Sequence, residues 1–218
     1  LKDWTDGEIY RAITSGVSKD GRALFPVMPY AYYGKMASDD IYCIIAYLRS
    51  LPPIENTPPA SHSNFPMNFI VNTIPRKAEP QAIPPKTDAV AYGHYVATSA
   101  GCVECHSPVD KGQIIQELAF SGGREFAFPN GNVLRSTNIS PELETGIGAW
   151  SEDQFVQLFR LRSDSAAEHQ MVKPDDFNTI MPWTMYGKMN EEDLRAIYVY
   201  LRSVKPIKNN IEKFTKKS

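Results

Sequence analysis

The chain has 218 residues, 42% of them hydrophobic, with 23 basic against 25 acidic side chains and a formal charge of −2. That length holds one large or two small domains, and the composition is that of a packed protein, not a disordered one. The charge balance offers no basic face for nucleic acid, and no run of 18 apolar residues exists to span a membrane.

In chain order, the first predicted element is a helix opened by "WTDGEIYRAI" at residue 4. Thr5 and Glu8 have the spacing of a capping box, and Ile9, Ala12 and Ile13 recur at helical spacing. A loop carrying Met28-Pro29 follows, then a helix that begins with Asp39 and Asp40, suited to the positive end of its dipole, and stops before Pro52. Cys43 lies on the apolar side of this helix and is expected to be a buried small residue. More than half of the seventeen prolines fall in residues 51–87, which read as a linker with much extended structure.

Residues 88–100, "DAVAYGHYVATSA", read as a helix leading into "GCVECHSPV". His94 is expected to be a surface or packing residue. "REFAFPNGNVLRS", with Asn130-Gly131 at its tip, reads as a short hairpin. Ser151 and Gln154 form a second capping box, with Phe155, Leu158 and Phe159 on one face of the helix that follows. A second loop carries Met181-Pro182. The last helix opens on Glu191, Glu192 and Asp193 and ends before Pro206.

Cys102 and Cys105, followed at once by His106, allow zinc, thiol redox chemistry or haem attachment. A zinc module needs a second close pair of ligands, but Cys43 is distant, and His62, His94 and His169 form no ligand pair. A thioredoxin-like motif belongs in alternating strands and helices, a pattern this chain lacks. Covalent haem remains, with two thioether bonds from the cysteines and the histidine facing the iron.

An internal repeat is the second decisive feature. "VMPYAYYGKMASDDIYCIIAYLRS" from Val27 matches "IMPWTMYGKMNEEDLRAIYVYLRS" from Ile180, and Trp4 matches Trp150. Between tryptophan and methionine the second copy is seven residues longer (150 to 181 against 4 to 28). Two copies of one domain type are implied. The first is a back half only, and whatever corresponds to residues 88–146 is expected before Leu1, since the chain opens without a methionine. Residues 1–53 are then the incomplete first domain, 54–87 the linker and 88–218 a complete second domain.

The order of helix, C-x-x-C-H, loop methionine and final "YVYLRS" helix resembles c-type cytochromes, over 88–206 as a whole domain and 1–53 as half of one. The fold this implies is all-α, two cytochrome c-like domains with a short β-hairpin inserted in the second. Gly93 resembles the family's first-helix glycine that lets an aromatic on the last helix, here Tyr200, come close. "TNISPELETGIGAWSEDQF" is similar to a stretch in the multi-haem cytochrome subunits of membrane-associated alcohol and gluconate dehydrogenases.

The resemblance implies haem c on Cys102 and Cys105, His106 as proximal iron ligand and Met181 as distal ligand, with Met171, Met185 and Met189 as the competing methionines. It places Trp183 against the haem, together with Tyr186, Phe155 and Phe159. Met28 becomes the distal ligand of a second haem whose attachment site lies outside this chain; the alternative is a degenerate first copy without haem. The function implied is electron transfer, not catalysis, from a dehydrogenase to an oxidase or another cytochrome of the respiratory chain. The location implied is the bacterial periplasm, with any membrane association made through a partner or the missing N-terminus. The rival class is a dihaem peroxidase with one open iron.

Overall fold

The computed structural model describes residues 1–59, 61–162, 171–173 and 176–217, so His169 lies outside the described residues. Helices dominate, with a few small strands. The chain divides into two compact units, Leu1–Ile83 and Pro84–Ser218.

In the first unit α1 (Asp6–Ser15) opens on the expected capping box. The Thr5 N–H donates to Glu8 Oε2 at 2.7 Å, and the Glu8 N–H donates back to Thr5 Oγ1 at 3.2 Å. Two donors that a helix start leaves without partners are thereby satisfied. A short α2 (Tyr30–Tyr33) follows Met28-Pro29, and α3 (Ser38–Ser50) runs to Leu51 ahead of Pro52. Ile9, Ala12, Tyr30, Met36, Ala37, Ile41 and Ile45 are the buried apolar residues of this unit. Arg49, near the end of α3, returns to α1, donating to Asp6 at 3.0 Å and to the Leu1 carbonyl at 2.9 Å.

Cys43 departs from expectation. It is exposed, as are its neighbours Tyr42, Ile44 and Tyr47. Burial was expected from its place on the apolar side of the helix, but among the described residues of this unit nothing covers that side. The proline-rich stretch carries α4 (Met67–Ile70) and a 3-10 turn, Val71–Thr73. Its later part packs within this unit, the Glu79 N–H donating to Gly34 O at 2.8 Å.

In the second unit α5 (Ala89–Ser99) is capped by Asp88 and leads into α6 (Cys102–Cys105). Strands β1 (Val109–Asp110) and β2 (Gln113–Ile114) form a small hairpin that the sequence analysis did not anticipate. The anticipated hairpin is present as β3 (Glu125–Ala127) and β4 (Val133–Arg135), in the register Phe126 opposite Leu134. The Ser151–Gln154 capping box opens α7 (Glu152–Arg160). A short α8 (Trp183–Tyr186) and the long α9 (Glu191–Ser203) follow. Finally β5 (Phe214–Thr215) joins β4 as a third strand.

The core of this unit is built from α5, α7 and α9, with Ala97, Phe120, Ile147, Phe155, Val156, Phe159, Leu194, Ile197 and Leu201 in contact. Helices α5 and α9 touch backbone to backbone at Gly93. A Cβ there would lie 1.9 Å from the Ala196 carbonyl oxygen and 2.9 Å from Tyr200 Cβ. Only glycine permits that crossing. The expected close approach of Tyr200 is therefore present, with Ala196 closer still. His94 is exposed, its ring 5.0 Å from that of Tyr200, so it packs at the surface.

Candidate haem site

The Cys102–Cys105 segment is a single helical turn, entered through Gly101 in the left-handed conformation. Cys102 is half-buried against the core and Cys105 is exposed; neither forms a disulfide. Desolvation first, and the neighbouring Cys105 second, push the Cys102 thiol up to about 12. Desolvation also raises Cys105, although Arg124 pulls the other way. Among the described residues no three His, Cys, Asp or Glu side chains converge as a metal site.

His106 closes the turn. Its ring Nδ1 lies 2.7 Å from the Thr137 carbonyl, and its own carbonyl accepts the Gly122 N–H at 2.8 Å. Desolvation holds the imidazole below its ordinary range, against the opposing pull of Thr137, so the ring is neutral at pH 7. A neutral ring facing a carbonyl carries its proton on Nδ1, which leaves the Nε2 lone pair for a ligand. The acceptor is rigidly placed. Gly122 sits at φ +73°, and a Cβ there would fall 2.5 Å from the Thr137 carbonyl carbon.

Around this turn, Arg124 donates to the Glu104 carbonyl and, at 3.2 Å, to its carboxylate. The Tyr186 hydroxyl donates to the Ala100 carbonyl at 2.6 Å, tying α8 to the end of α5. Thr137, Arg124 and this tyrosine bond were not foreseen from the sequence. Thr137 acts through its backbone, which no side-chain pattern reveals. The adjacent glycines 122 and 123 are the one hint of a tight approach.

Met181 is half-buried and packs on the same core cluster as Cys102, Trp183 and Tyr186. Trp183 stands 5.3 Å from Phe159, centroid to centroid. The competing methionines differ in setting. Met171 is 94% exposed and Met185 72%, whereas Met189 packs into the core.

Met28 belongs to the first unit and is half-buried. Its loop repeats the backbone of the Met181 loop. Pro29 has φ −78°, ψ 59° and Pro182 φ −78°, ψ 65°. The N–H two residues after each methionine donates to the methionine carbonyl at 2.8 Å in both copies. Four residues on, Gly34 donates to Tyr30 O at 2.8 Å and Gly187 to Trp183 O at 2.7 Å.

Comparison with known proteins shows similarity over most of the chain to cytochrome c subunits of dehydrogenases. The cytochrome c subunit of quinone alcohol dehydrogenase from Gluconacetobacter polyoxogenes is 27% identical, covering 94% of this chain and 45% of that protein. The gluconate 2-dehydrogenase cytochrome c subunit of Pantoea cypripedii is 37% identical over 54% of this chain and 24% of its own. The fructose dehydrogenase cytochrome subunit of Gluconobacter japonicus is 25% identical, over 94% of this chain and 42% of that protein. The chain spans less than half the length of these relatives. No protein-family model matches it.

Proposed function

We propose that the chain is an electron carrier, with haem c bound covalently through Cys102 and Cys105 and with His106 and Met181 as the residues that would ligate its iron. The observation that carries this reading is the C-x-x-C-H turn whose histidine is neutral and directed by Thr137, in a chain whose relatives are named cytochrome c subunits. When bound, haem supplies an iron that cycles between ferrous and ferric states. Every other part of the work falls to side chains. Thiols held neutral at Cys102 and Cys105 are positioned on one turn for thioether bonding. His106 presents Nε2 from a fixed ring. Met181 offers a soft thioether, which favours ferrous iron and a higher potential. Trp183, Phe159 and Tyr186 supply apolar cover that excludes water near the site.

The same reading gives the first unit a second haem, with Met28 as its distal ligand and its attachment cysteines outside residues 1–218. The near-identical Met-Pro loops support it. On this account each unit is a cytochrome c-like domain, the first present in its back half. Electrons pass from a dehydrogenase to an oxidase or another cytochrome, in the bacterial periplasm. No helix among the described residues is long and apolar enough to cross a membrane.

A redox titration followed by visible absorption tests the carrier reading against the peroxidase alternative. Reversible one-electron reduction, with no spectral change on adding carbon monoxide or hydrogen peroxide, is the expected result. A ready carbon monoxide complex at the haem of the second unit would mean an open iron and an enzyme.

A further inference from the structure

The stretch "TNISPELETG" begins at Thr137, whose carbonyl faces His106, and the electron-carrier reading gives its buried polar side chains no role. Asn138 is 4% exposed and Ser140 0%. The Asn138 amide donates from Nδ2 to Thr145 Oγ1 at 3.0 Å and to the Ile207 carbonyl at 2.7 Å. Its Oδ1 accepts the Ser140 N–H at 2.9 Å. Thr145 Oγ1 in turn accepts the Asn209 N–H at 3.1 Å and donates to Glu142 Oε2 at 2.7 Å. The Ile207 N–H donates to Ser140 Oγ at 3.2 Å. Residues 207–209, which follow α9, are thus strapped across the motif. Both amide hydrogens of Asn138 and the hydroxyl hydrogen of Thr145 are used in doing so.

The strap bears on His106 through two peptide units. One is Thr137–Asn138, whose carbonyl lies 2.7 Å from the ring Nδ1 and whose second residue is the anchored asparagine. The backbone on either side of it is laced to residues 120–124. Gly123 N–H donates to Ser136 O at 2.9 Å, Ser136 N–H to Arg124 O at 3.1 Å and Ile139 N–H to Phe120 O at 2.9 Å. The other unit is Ser121–Gly122. Its carbonyl accepts Asn209 Nδ2 at 3.1 Å, and its N–H donates to the His106 carbonyl at 2.8 Å. A buried polar network paired in this way rigidifies what it holds.

We propose that Asn138 is a positioning residue for His106: it holds the Thr137–Asn138 peptide so that the carbonyl keeps the ring Nδ1 proton, with Thr145 and residues 207–209 as its anchors. For its effect on iron this rests on the electron-carrier reading; the hydrogen bond itself belongs to the protein. A ligating histidine that donates its second ring N–H to a carbonyl is the more basic ligand, and a more basic ligand favours ferric iron. Freeing Asn138 weakens that bond, lessens the electron density reaching the metal and shifts the couple toward ferrous iron. General disturbance of the site has the opposite sign. Water admitted beside a buried haem stabilises the extra positive charge of ferric iron, and loss of a soft methionine sulfur acts the same way. The direction of the shift separates positioning from loosening.

The test compares three variants of the full chain. Asn138→Ala removes the amide, and Thr145→Val keeps Asn138 but removes the oxygen that anchors it. Asn132→Ala is the matched control: this asparagine is also 4% exposed and also holds the strand after α9, accepting the Lys217 N–H at 3.0 Å, without touching the Thr137 peptide. In a redox titration, Asn138→Ala and Thr145→Val should raise the ratio of ferrous to ferric haem at a fixed applied potential about threefold, roughly 30 mV for a one-electron couple. Solvent exchange of the His106 Nδ1 proton, followed by NMR in the reduced protein, should quicken about tenfold in the same two variants, because opening of that bond limits it. Asn132→Ala should change neither. Thr145→Val decides the matter alone if Asn138→Ala does not fold. A ratio that falls or stays put, exchange no faster than in the unmodified chain, or equal changes in all three variants overturns the proposal. A chain without haem would show no absorption band to titrate. That outcome refutes the electron-carrier reading, and the exchange measurement then decides the positioning role by itself.

Discussion

Cys102, Cys105 and His106 carry the account at the scale of single residues, and their spacing was plain in the sequence. What the spacing could not supply was the direction of the imidazole. That is set by the Thr137 carbonyl at 2.7 Å, a backbone atom some thirty residues away, held there by the close approach of Gly122. The four competing methionines differ in setting. Met171 and Met185 are exposed, while Met181 and Met189 both pack against the core cluster of the second unit. Met181→Ala should abolish the weak far-red methionine–iron band and lower the reduction potential, because a hard water or an empty position replaces a soft sulfur. Visible absorption and a redox titration check both. Loss of the band in Met185→Ala or Met189→Ala, and not in Met181→Ala, would move the ligand elsewhere. Cys43 marks the limit of residue-level reading. Its helical face was legible, but burial depends on a neighbour that the pattern alone does not supply.

Elements were legible wherever a local rule fixes an end. Both capping boxes, the acidic starts of α3 and α9, their stops before Pro52 and Pro206, and the Asn130-Gly131 hairpin all follow from short-range chemistry. The β1–β2 hairpin, α4 and the β5 strand were missed. Each is two to four residues long, too short for periodicity to register, and β5 owes its pairing to β4, some eighty residues earlier. The α5–α9 crossing is the element-scale contact on which the second unit depends. Gly93→Val would drive a side chain into the Ala196 carbonyl and force the helices apart. The expected cost is about 3 kcal/mol, the upper part of the overpacking range. Thermal unfolding followed by circular dichroism measures it. Stability unchanged to within about 0.5 kcal/mol, the scatter of ordinary surface changes, would mean that the crossing is looser than described.

For the whole molecule, the repeat was the most informative feature of the sequence, and it reappears in three dimensions beyond the residues that revealed it. Arg49 and Arg202 occupy matching places, and each donates to backbone ahead of its unit's capped helix, at Trp4 and at Gly148. The Met28 and Met181 loops share their turns. Residues 51–87 show why composition alone under-describes a segment: prolines limit regular structure, yet most of the stretch, to Ile83, is part of the first unit and is bonded to Gly34 and Lys35. The proposed electron transfer, in company with a dehydrogenase, depends on one covalent attachment. Mass spectrometry of the tryptic peptide spanning Cys102, Cys105 and His106, prepared after acid–acetone treatment of the intact protein, tests it most directly. The account predicts that this peptide retains the mass of one haem, attached through both cysteines. A peptide of unmodified mass with two free thiols, and all colour in the acetone, would contradict it.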